Sequence, residues 1–368
     1  MLNQLKNFNE LVHLWDLDQE ERDKKIEIFQ MWEKNLNKDE FETILEICNH
    51  FNYYSYKLTA EAYKSIFDKN ACNIDKFETF IEQSLFFPLR KKDRVESAVD
   101  MFSSFRLVNN IDANRTKMVC PADYLMQYKT SIDYFGKLVK ENDQKSIEEK
   151  KIIQNLENQL ILNKKNKIIS KKIKKRINRL QKIKDKREYL LKKKVEVFLE
   201  NYLSVKNMII IDDFIGTGDS VVSFLKKIGS ILVDSTIGIK IHLWVIEASE
   251  SGIKAIEETV KQLGIDFDIS FYKESINVLE EDKIFSPENI IEVKEIIGNI
   301  NKRNKLRPSR YCKNHAIASF VNAPNNNLTL LSEESSTWTA LFLRTKRNKV
   351  ERKISSTDIK EAYAFLRQ

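Results

Sequence analysis

Residues 208–220 read Met208-Ile209-Ile210-Ile211-Asp212-Asp213-Phe214-Ile215-Gly216-Thr217-Gly218-Asp219-Ser220. Four successive apolar residues predict a strand covered on both faces, as in a parallel sheet. Two carboxylates end the run. Burying them unpaired at neutral pH would be costly, so Asp212 and Asp213 are expected to face hydroxyls, a cation, or both. Gly216 and Gly218 permit a turn with positive φ, and an amphipathic helix follows from Ser220. Acid groups therefore stand at the C-terminal end of a strand, beside a helix N-terminus. That edge of an open α/β sheet is where phosphorylated ligands bind. Turn amides and the helix dipole suit a phosphate dianion, Thr217 and Ser220 add hydroxyl donors, and the carboxylates suit ribose hydroxyls.

Other phosphate motifs fit less well. A P-loop needs Gly-x-x-x-x-Gly-Lys-Ser/Thr, and no such lysine follows these glycines. The Ile-Ile-Ile-Asp-Asp run could be the metal-holding strand of that fold, but the chain has no first loop to go with it. A dinucleotide fingerprint needs a third glycine where Val221 stands. A strand, turn and helix that bind nothing would leave the agreement of carboxylate pair, glycines and helix start without a reason.

Asp212 to Ser220 resembles the phosphoribosyl-pyrophosphate-binding motif of type I phosphoribosyltransferases, which reads two acids, two apolar residues and a Thr-Gly-x-Thr-type turn. Gly216 and Ser220 replace the commoner threonines, and Asp219 adds a negative charge. As a cap of the following helix, Asp219 would have a purely structural role. A second stretch holds His315-Ala-Ile-Ala-Ser-Phe-Val-Asn322, Ala323-Pro-Asn-Asn-Asn-Leu328 and Trp338-Thr-Ala-Leu-Phe-Leu-Arg344. It is similar to phosphoribosyltransferase-like proteins of bacterial anti-phage conflict systems, some of which accompany retron reverse transcriptases. The likeness spans roughly 80–130 and 205–345.

The resemblance implies an α/β fold: a phosphoribosyltransferase-type parallel sheet core, with a helical N-terminal region and a long helical hairpin insertion. It implies a ligand containing ribose 5-phosphate, either phosphoribosyl pyrophosphate or a nucleotide. Asp212 and Asp213 would be the catalytic pair and would hold Mg²⁺, directly or through water. Ile215, Gly216, Thr217, Gly218, Asp219 and Ser220 would complete the phosphate and ribose site. A pyrophosphate loop would follow the first core strand, Leu85-Phe86-Phe87-Pro88-Leu89, using Arg90, Lys91, Lys92, Arg94 and Ser97. A solvated basic turn is the plainer alternative for that loop. Phosphoribosyl transfer, nucleotide hydrolysis of the N-glycosidase kind and non-catalytic nucleotide sensing all stay open.

Glycine placement organises the rest. Residues 1–135 contain none, and seven of the eight lie beyond residue 215. Helical periodicity near 18–36, 39–50, 59–68 and 73–83, with Asp39, Thr59 and Asn73 as candidate caps, predicts a helical region over 1–83. Trp15, Phe29, Trp32, Phe41, Phe51 and Tyr54 are its candidate core. The α/β core is expected over 84–130 and 205–345. Within it a helix runs from Ser220, a strand over 240–247, a helix over 251–263, a strand over 266–272 and a helix over 287–301. A basic loop follows (Lys302, Arg303, Lys305, Arg307, Arg310), and residues 346–368 form a tail with a short helix.

From Lys137 to Ile215 there is neither Gly nor Pro. Apolar residues recur at helical spacing, which predicts a hairpin over 137–204 broken near 163–167. Residues 164–194 contain sixteen Lys or Arg and only Asp185 and Glu188 as acids. That segment carries +14 of the chain's net +8, so the remainder is acidic by 6. Lys171, Lys172, Lys174, Lys175, Arg176 and Arg179 could track a nucleic-acid backbone or dock a defence-system partner protein. Tyr189 is the one aromatic of the basic run, which argues against base stacking. A solvated coiled-coil face, or an oligomer contact, is the plainer alternative.

No apolar run is long enough to span a membrane, and the N-terminus lacks a signal-peptide apolar core. Cys48, Cys72, Cys120 and Cys312 are scattered, which fits reduced thiols, a cytoplasmic location and no zinc site. The four histidines stand in unrelated contexts, and His242 is expected to be a satisfied strand residue.

Overall fold

The computed structural model describes residues 7–90, 97–200, 205–232 and 238–345. In chain order, α1 (Phe8–Leu14), α2 (Gln19–Asn35) and α3 (Lys38–Asn49) precede a short strand β1 (Asn52–Tyr54). Then come α4 (Tyr56–Asn73), α5 (Phe77–Glu82), β2 (Ser84–Pro88) and α6 (Ser97–Val108). The hairpin is α7 (Pro121–Leu162) and α8 (Lys167–Phe198). The sheet continues with β3 (Asn207–Ile215), α9 (Asp219–Leu232), β4 (Lys240–Ser249), α10 (Glu250–Leu263) and β5 (Phe267–Ser275). The chain closes through α11 (Ile290–Arg303), β6 (Ile317–Ser319) and α12 (Thr329–Ser332).

Strands β2-β3-β4-β5 lie side by side in that order, all parallel. The fold is therefore α/β with a parallel-sheet core, as expected. Successive right-handed crossovers in an unbroken strand order must lie on one face. Accordingly α9, α10 and the first turns of α7 cover the Met208, Ile210, Leu243 and Val245 side. The opposite side, formed by Phe86, Ile209, Ile211, Trp244 and Ile246, is covered by α4 and α6. Met208 to Ile211 are all essentially inaccessible, so both faces of β3 are filled. This is why its sequence shows no polar alternation.

A third core joins the two ends of the chain. Trp15, Phe29, Trp32, Ile44 and Ile47 of the N-terminal segment pack with Val293, Ile297, Leu330, Leu331, Trp338 and Phe342. Trp32 stacks on Trp338 with centroids 4.9 Å apart, and its Nε1 donates to the Thr339 carbonyl at 3.2 Å. Strand β1 pairs in parallel with β6, Asn52 opposite Ile317. A strand at 52–54 is absent from the sequence expectation for 1–83. Its three residues, Asn-Tyr-Tyr, are too short to show a period, and its partner lies 265 residues downstream.

Helix starts also differ in detail. Asn37, not Asp39, caps α3 in a reciprocal capping box with Glu40. Ser55, not Thr59, caps α4, and Thr59 is buried inside that helix. Asn73 is the last residue of α4. The hairpin break falls where expected, between Leu162 and Lys167. The first arm, however, is continuous with a core helix that starts at Pro121 and buries Ala122, Leu125 and Tyr128. Arg187 ties the arms together, with its guanidinium bonded to Glu149, Asn142 and Ser146. The tail helix expected within 346–368 lies outside the described residues. Among the described residues no helix is long and apolar enough to cross a membrane.

Candidate functional site

Strand β3 carries Asp212 and Asp213 to the C-terminal edge of the sheet, both half-buried. Side-chain alternation, regular from Met208 to Ile211, shifts by one residue across this pair. Phe214 joins the cluster of Ile209 and Ile211, and Ile215 joins that of Met208 and Ile210. The carboxylates turn back on their own strand. Asp212 Oδ1 accepts from the Asp213 amide at 3.0 Å, and Asp213 Oδ1 accepts from the Phe214 amide at 2.8 Å. From α4, Tyr63 donates its hydroxyl to the Asp212 carbonyl at 3.0 Å. Burial, followed by the two nearby carboxylates, pushes the Tyr63 phenol well above its ordinary range, so it is a fixed donor.

The turn is shaped by close backbone approach. Gly218 has φ of +75°, and a Cβ there would stand 2.8 Å from the Gly252 carbonyl oxygen. A Cβ on Gly216 would enter the space of the Asn326 side chain. Ser249, which caps α10, donates its hydroxyl to the Gly216 carbonyl and accepts from the Gly252 amide at 3.0 Å. Asp219 is the exposed first residue of α9, and its amide faces Thr217 Oγ1 at 3.5 Å. The Gly218 carbonyl, not the Asp219 side chain, closes the first helical turn by accepting from Val222 at 2.9 Å. The amides of that turn are left without intrahelical acceptors by helix geometry. The structure thus brings Asp212, Asp213 and the 215–220 turn together at one edge.

Beside the turn, Thr217, Asp219, Ser251, Arg310, Tyr311 and Lys313 line an open cleft of about 650 Å³. The 310–315 segment is held by the Pro-Asn-Asn stretch. Lys313 and His315 donate amides to the Asn326 carbonyl at 2.9 and 3.2 Å, and Leu328 donates to the His315 carbonyl at 2.8 Å. The His315 ring is buried against Phe214, with Nδ1 3.0 Å from both Ser275 Oγ and the Ile276 carbonyl. Burial lowers its pKa to about 4, so it is a neutral positioning group at pH 7. His242 is likewise buried in β4, within 3.3 Å of Asn207, and is lowered to about 4.

Sequence reasoning did not select Ser251, Gly252, Tyr311, Lys313 or Asn326. The only available signals were the cation-rich loop ending at Arg310 and the asparagine run. Arg90 is half-buried and donates to the Met118 carbonyl at 2.8 Å, and Ser97 starts α6. Lys91, Lys92 and Arg94 lie outside the described residues. Lys171, Lys172, Lys174, Lys175, Arg176 and Arg179 are all exposed on α8, far along the chain from the turn. Among the described residues no group of three or more His, Cys, Asp or Glu stands together as a metal centre.

Glu247, in β4 opposite Phe214, is fully buried. Tyr54 donates to its Oε1 at 2.7 Å, while Oε2 has no hydrogen-bond partner among the described residues. Burial dominates over Tyr54, Lys273, Ser275 and Asn52 and raises its pKa to about 7. The fold therefore prefers the protonated acid. Stability is fully present below about pH 4.5, falls as pH rises toward about 7 because the unfolded chain ionises while the fold holds the protonated acid, and levels off once the folded acid ionises too. Glu247→Gln keeps an acceptor for Tyr54 and removes the titration. It is expected to stabilise the protein by about 3 kcal/mol at pH 8 and by little at pH 4.5. Urea unfolding at both pH values measures this, and an equal effect at both would contradict it.

A family model described as PRTase-CE matches residues 29–344, most of the chain. No curated protein and no solved structure matches.

Proposed function

The chain belongs to the PRTase-CE family and is a phosphoribosyltransferase-like protein, and from that premise we propose that it binds a ribose 5-phosphate moiety, in phosphoribosyl pyrophosphate or a nucleotide, at residues 212–220. We propose further that it serves as an effector in bacterial anti-phage defence, such as that accompanying retrons, by transferring or hydrolysing the phosphoribosyl group. The observation that carries the ligand assignment is the turn itself. A carboxylate pair at a strand end adjoins a positive-φ glycine and the first turn of α9, all within nine residues. The 216–220 amides would hold the 5-phosphate and the carboxylates the ribose hydroxyls. Cleavage at the anomeric carbon leaves positive charge on the sugar, which nearby carboxylates stabilise.

The residues present fit Mg²⁺. Two adjacent carboxylates, with no third carboxylate, His or Cys grouped with them among the described residues, suit an ion that completes its shell with water and substrate oxygens. Asp212 and Asp213 would hold it, directly or through water, and it would neutralise the ligand's phosphates.

Mass spectrometry of a nucleotide pool with phosphoribosyl pyrophosphate and Mg²⁺ tests the reading. The wild type is expected to consume one component, and Asp212→Asn/Asp213→Asn at least about 100-fold less, as for loss of two charge-assisted contacts. Consumption unaffected by the double substitution would refute it.

The second reading, a nucleotide sensor that holds nucleic acid or a partner protein, is favoured by one observation. All six cations named on α8 are exposed, and none is ion-paired among the described residues. Binding that weakens steeply with salt, and is lost on neutralising Lys171 to Arg176, would support it.

A further inference from the structure

We infer that Arg310 and Lys313 form the second wall of the phosphate site, clamping the ligand's phosphoryl group from the side opposite the 216–220 turn. This rests on the proposed reading of residues 212–220 as a ribose 5-phosphate site and extends it to a segment 90 residues downstream.

The turn alone is electrostatically ambiguous. The first turns of α9 and α10 present positive dipole ends, since both helices leave the C-terminal ends of neighbouring parallel strands. Asp219, exposed at the start of α9, sets a full negative charge in the same place. A phosphate dianion would be repelled unless cations offset it. Among the described residues, Arg310 and Lys313 are the two cations that line the cleft together with Thr217, Asp219 and Ser251.

Neither cation is ion-paired among the described residues, whereas the nearby Lys254 is paired with Glu250 and Arg303 with Glu40. Arg310 is set in place instead by Tyr311. Its guanidinium lies 4.5 Å from that ring centroid and donates to the hydroxyl. Lys313 is placed by its amide on Asn326, the residue packed against Gly216. One loop therefore both abuts the turn and lines the same cleft with two cations. A planar guanidinium and an ammonium are the groups that recognise phosphoryl oxygens, and Ser251 adds a hydroxyl. The clamp would make phosphate affinity depend on the balance of Asp219 against the two cations.

Calorimetric titration of the full chain with ribose 5-phosphate, ribose and inorganic phosphate, at fixed ionic strength, tests the clamp. Arg310→Gln/Lys313→Gln is expected to weaken ribose 5-phosphate binding about 10- to 100-fold, while Asp219→Asn strengthens it several-fold. Arg307→Gln, on the same loop but outside the cleft, should leave it unchanged. Equal binding by the wild type and Arg310→Gln/Lys313→Gln overturns the clamp and leaves the turn reading intact. Loss in that variant, without loss in Asp212→Asn/Asp213→Asn, upholds the clamp and removes the ribose assignment. If the wild type binds neither ribose 5-phosphate nor inorganic phosphate, both fall.

Discussion

Trp32→Ala is expected to destabilise the protein by about 3–5 kcal/mol, the range for deleting a buried large aromatic side chain. Trp32 is almost wholly inaccessible, stacked on Trp338 and edge-on to Phe29 at 5.5 Å. Its removal opens a cavity at the junction of α2 with the 338–342 segment. It also leaves the Thr339 carbonyl without its 3.2 Å donor. The loss should not stay in the N-terminal helices. The same core fixes Phe342 against Phe51 at 5.0 Å and Tyr53 at 4.7 Å, next to strand β1 and hence to β6. Trp32→Phe should cost markedly less. Because the two rings touch, the losses from Trp32→Ala and Trp338→Ala should fall short of additive by about 1 kcal/mol in a double-mutant cycle. Urea denaturation provides the values. Additive losses, or a Trp32→Ala effect below about 1 kcal/mol, would mean that the chain ends do not share one core.

Gly252→Val is the second large effect, and it acts on the site from outside the motif. The first turn of α10 approaches the 216–220 turn backbone to backbone. A Cβ at residue 252 would collide with the Gly216 carbonyl and stand 2.7 Å from Ile215 Cγ2 and 3.1 Å from Ser249 Oγ. Two of these neighbours are fixed, one as backbone and one as a buried strand residue. The turn must therefore move, and Ser249 loses its bridging geometry between Gly216 and Gly252. Overpacking of this kind costs about 1–3 kcal/mol. A displacement near 1 Å at a binding turn costs about 100-fold in function. Ribose 5-phosphate affinity is thus expected to fall far more than stability does. Gly298→Ala is the control. It lies in α11 with nothing within 4 Å of its Cβ, and should gain about 0.5–1 kcal/mol. Wild-type affinity in Gly252→Val would show that the turn's position is not critical.

The local parts of the site were legible because their signals are local. The apolar run, the acid pair and the two glycines lie within thirteen residues, and the structure delivers strand β3, turn and α9 over that same span. The hairpin was legible for the same reason. The Gly- and Pro-free helical period from Lys137 onward, and the break at 163–166, follow from short-range pattern. What remained hidden was every feature whose cause lies elsewhere in the chain. Asn52–Tyr54 becomes a strand only because β6 is there to pair with it. One helix from Pro121 to Leu162 spans what the sequence reading divided into core (to residue 130) and hairpin (from residue 137): buried Ala122, Leu125 and Tyr128 and the exposed arm lie on one uninterrupted helix.

The amino-acid sequence by itself determined the α/β class, the edge of the sheet that carries the acids, the turn chemistry and the segregation of charge onto one hairpin arm. All of these follow from residue type and spacing within a turn or strand. Tertiary structure alone decided that Gly252 shapes the turn, that Asn326 packs on Gly216 and that Arg310 and Lys313 line one cleft with Asp219. It also decided that the two ends of the chain close over one aromatic core. Those contacts join residues 33 to 307 positions apart. Their free energy comes from burial and convergence of charge after folding, which no local pattern encodes.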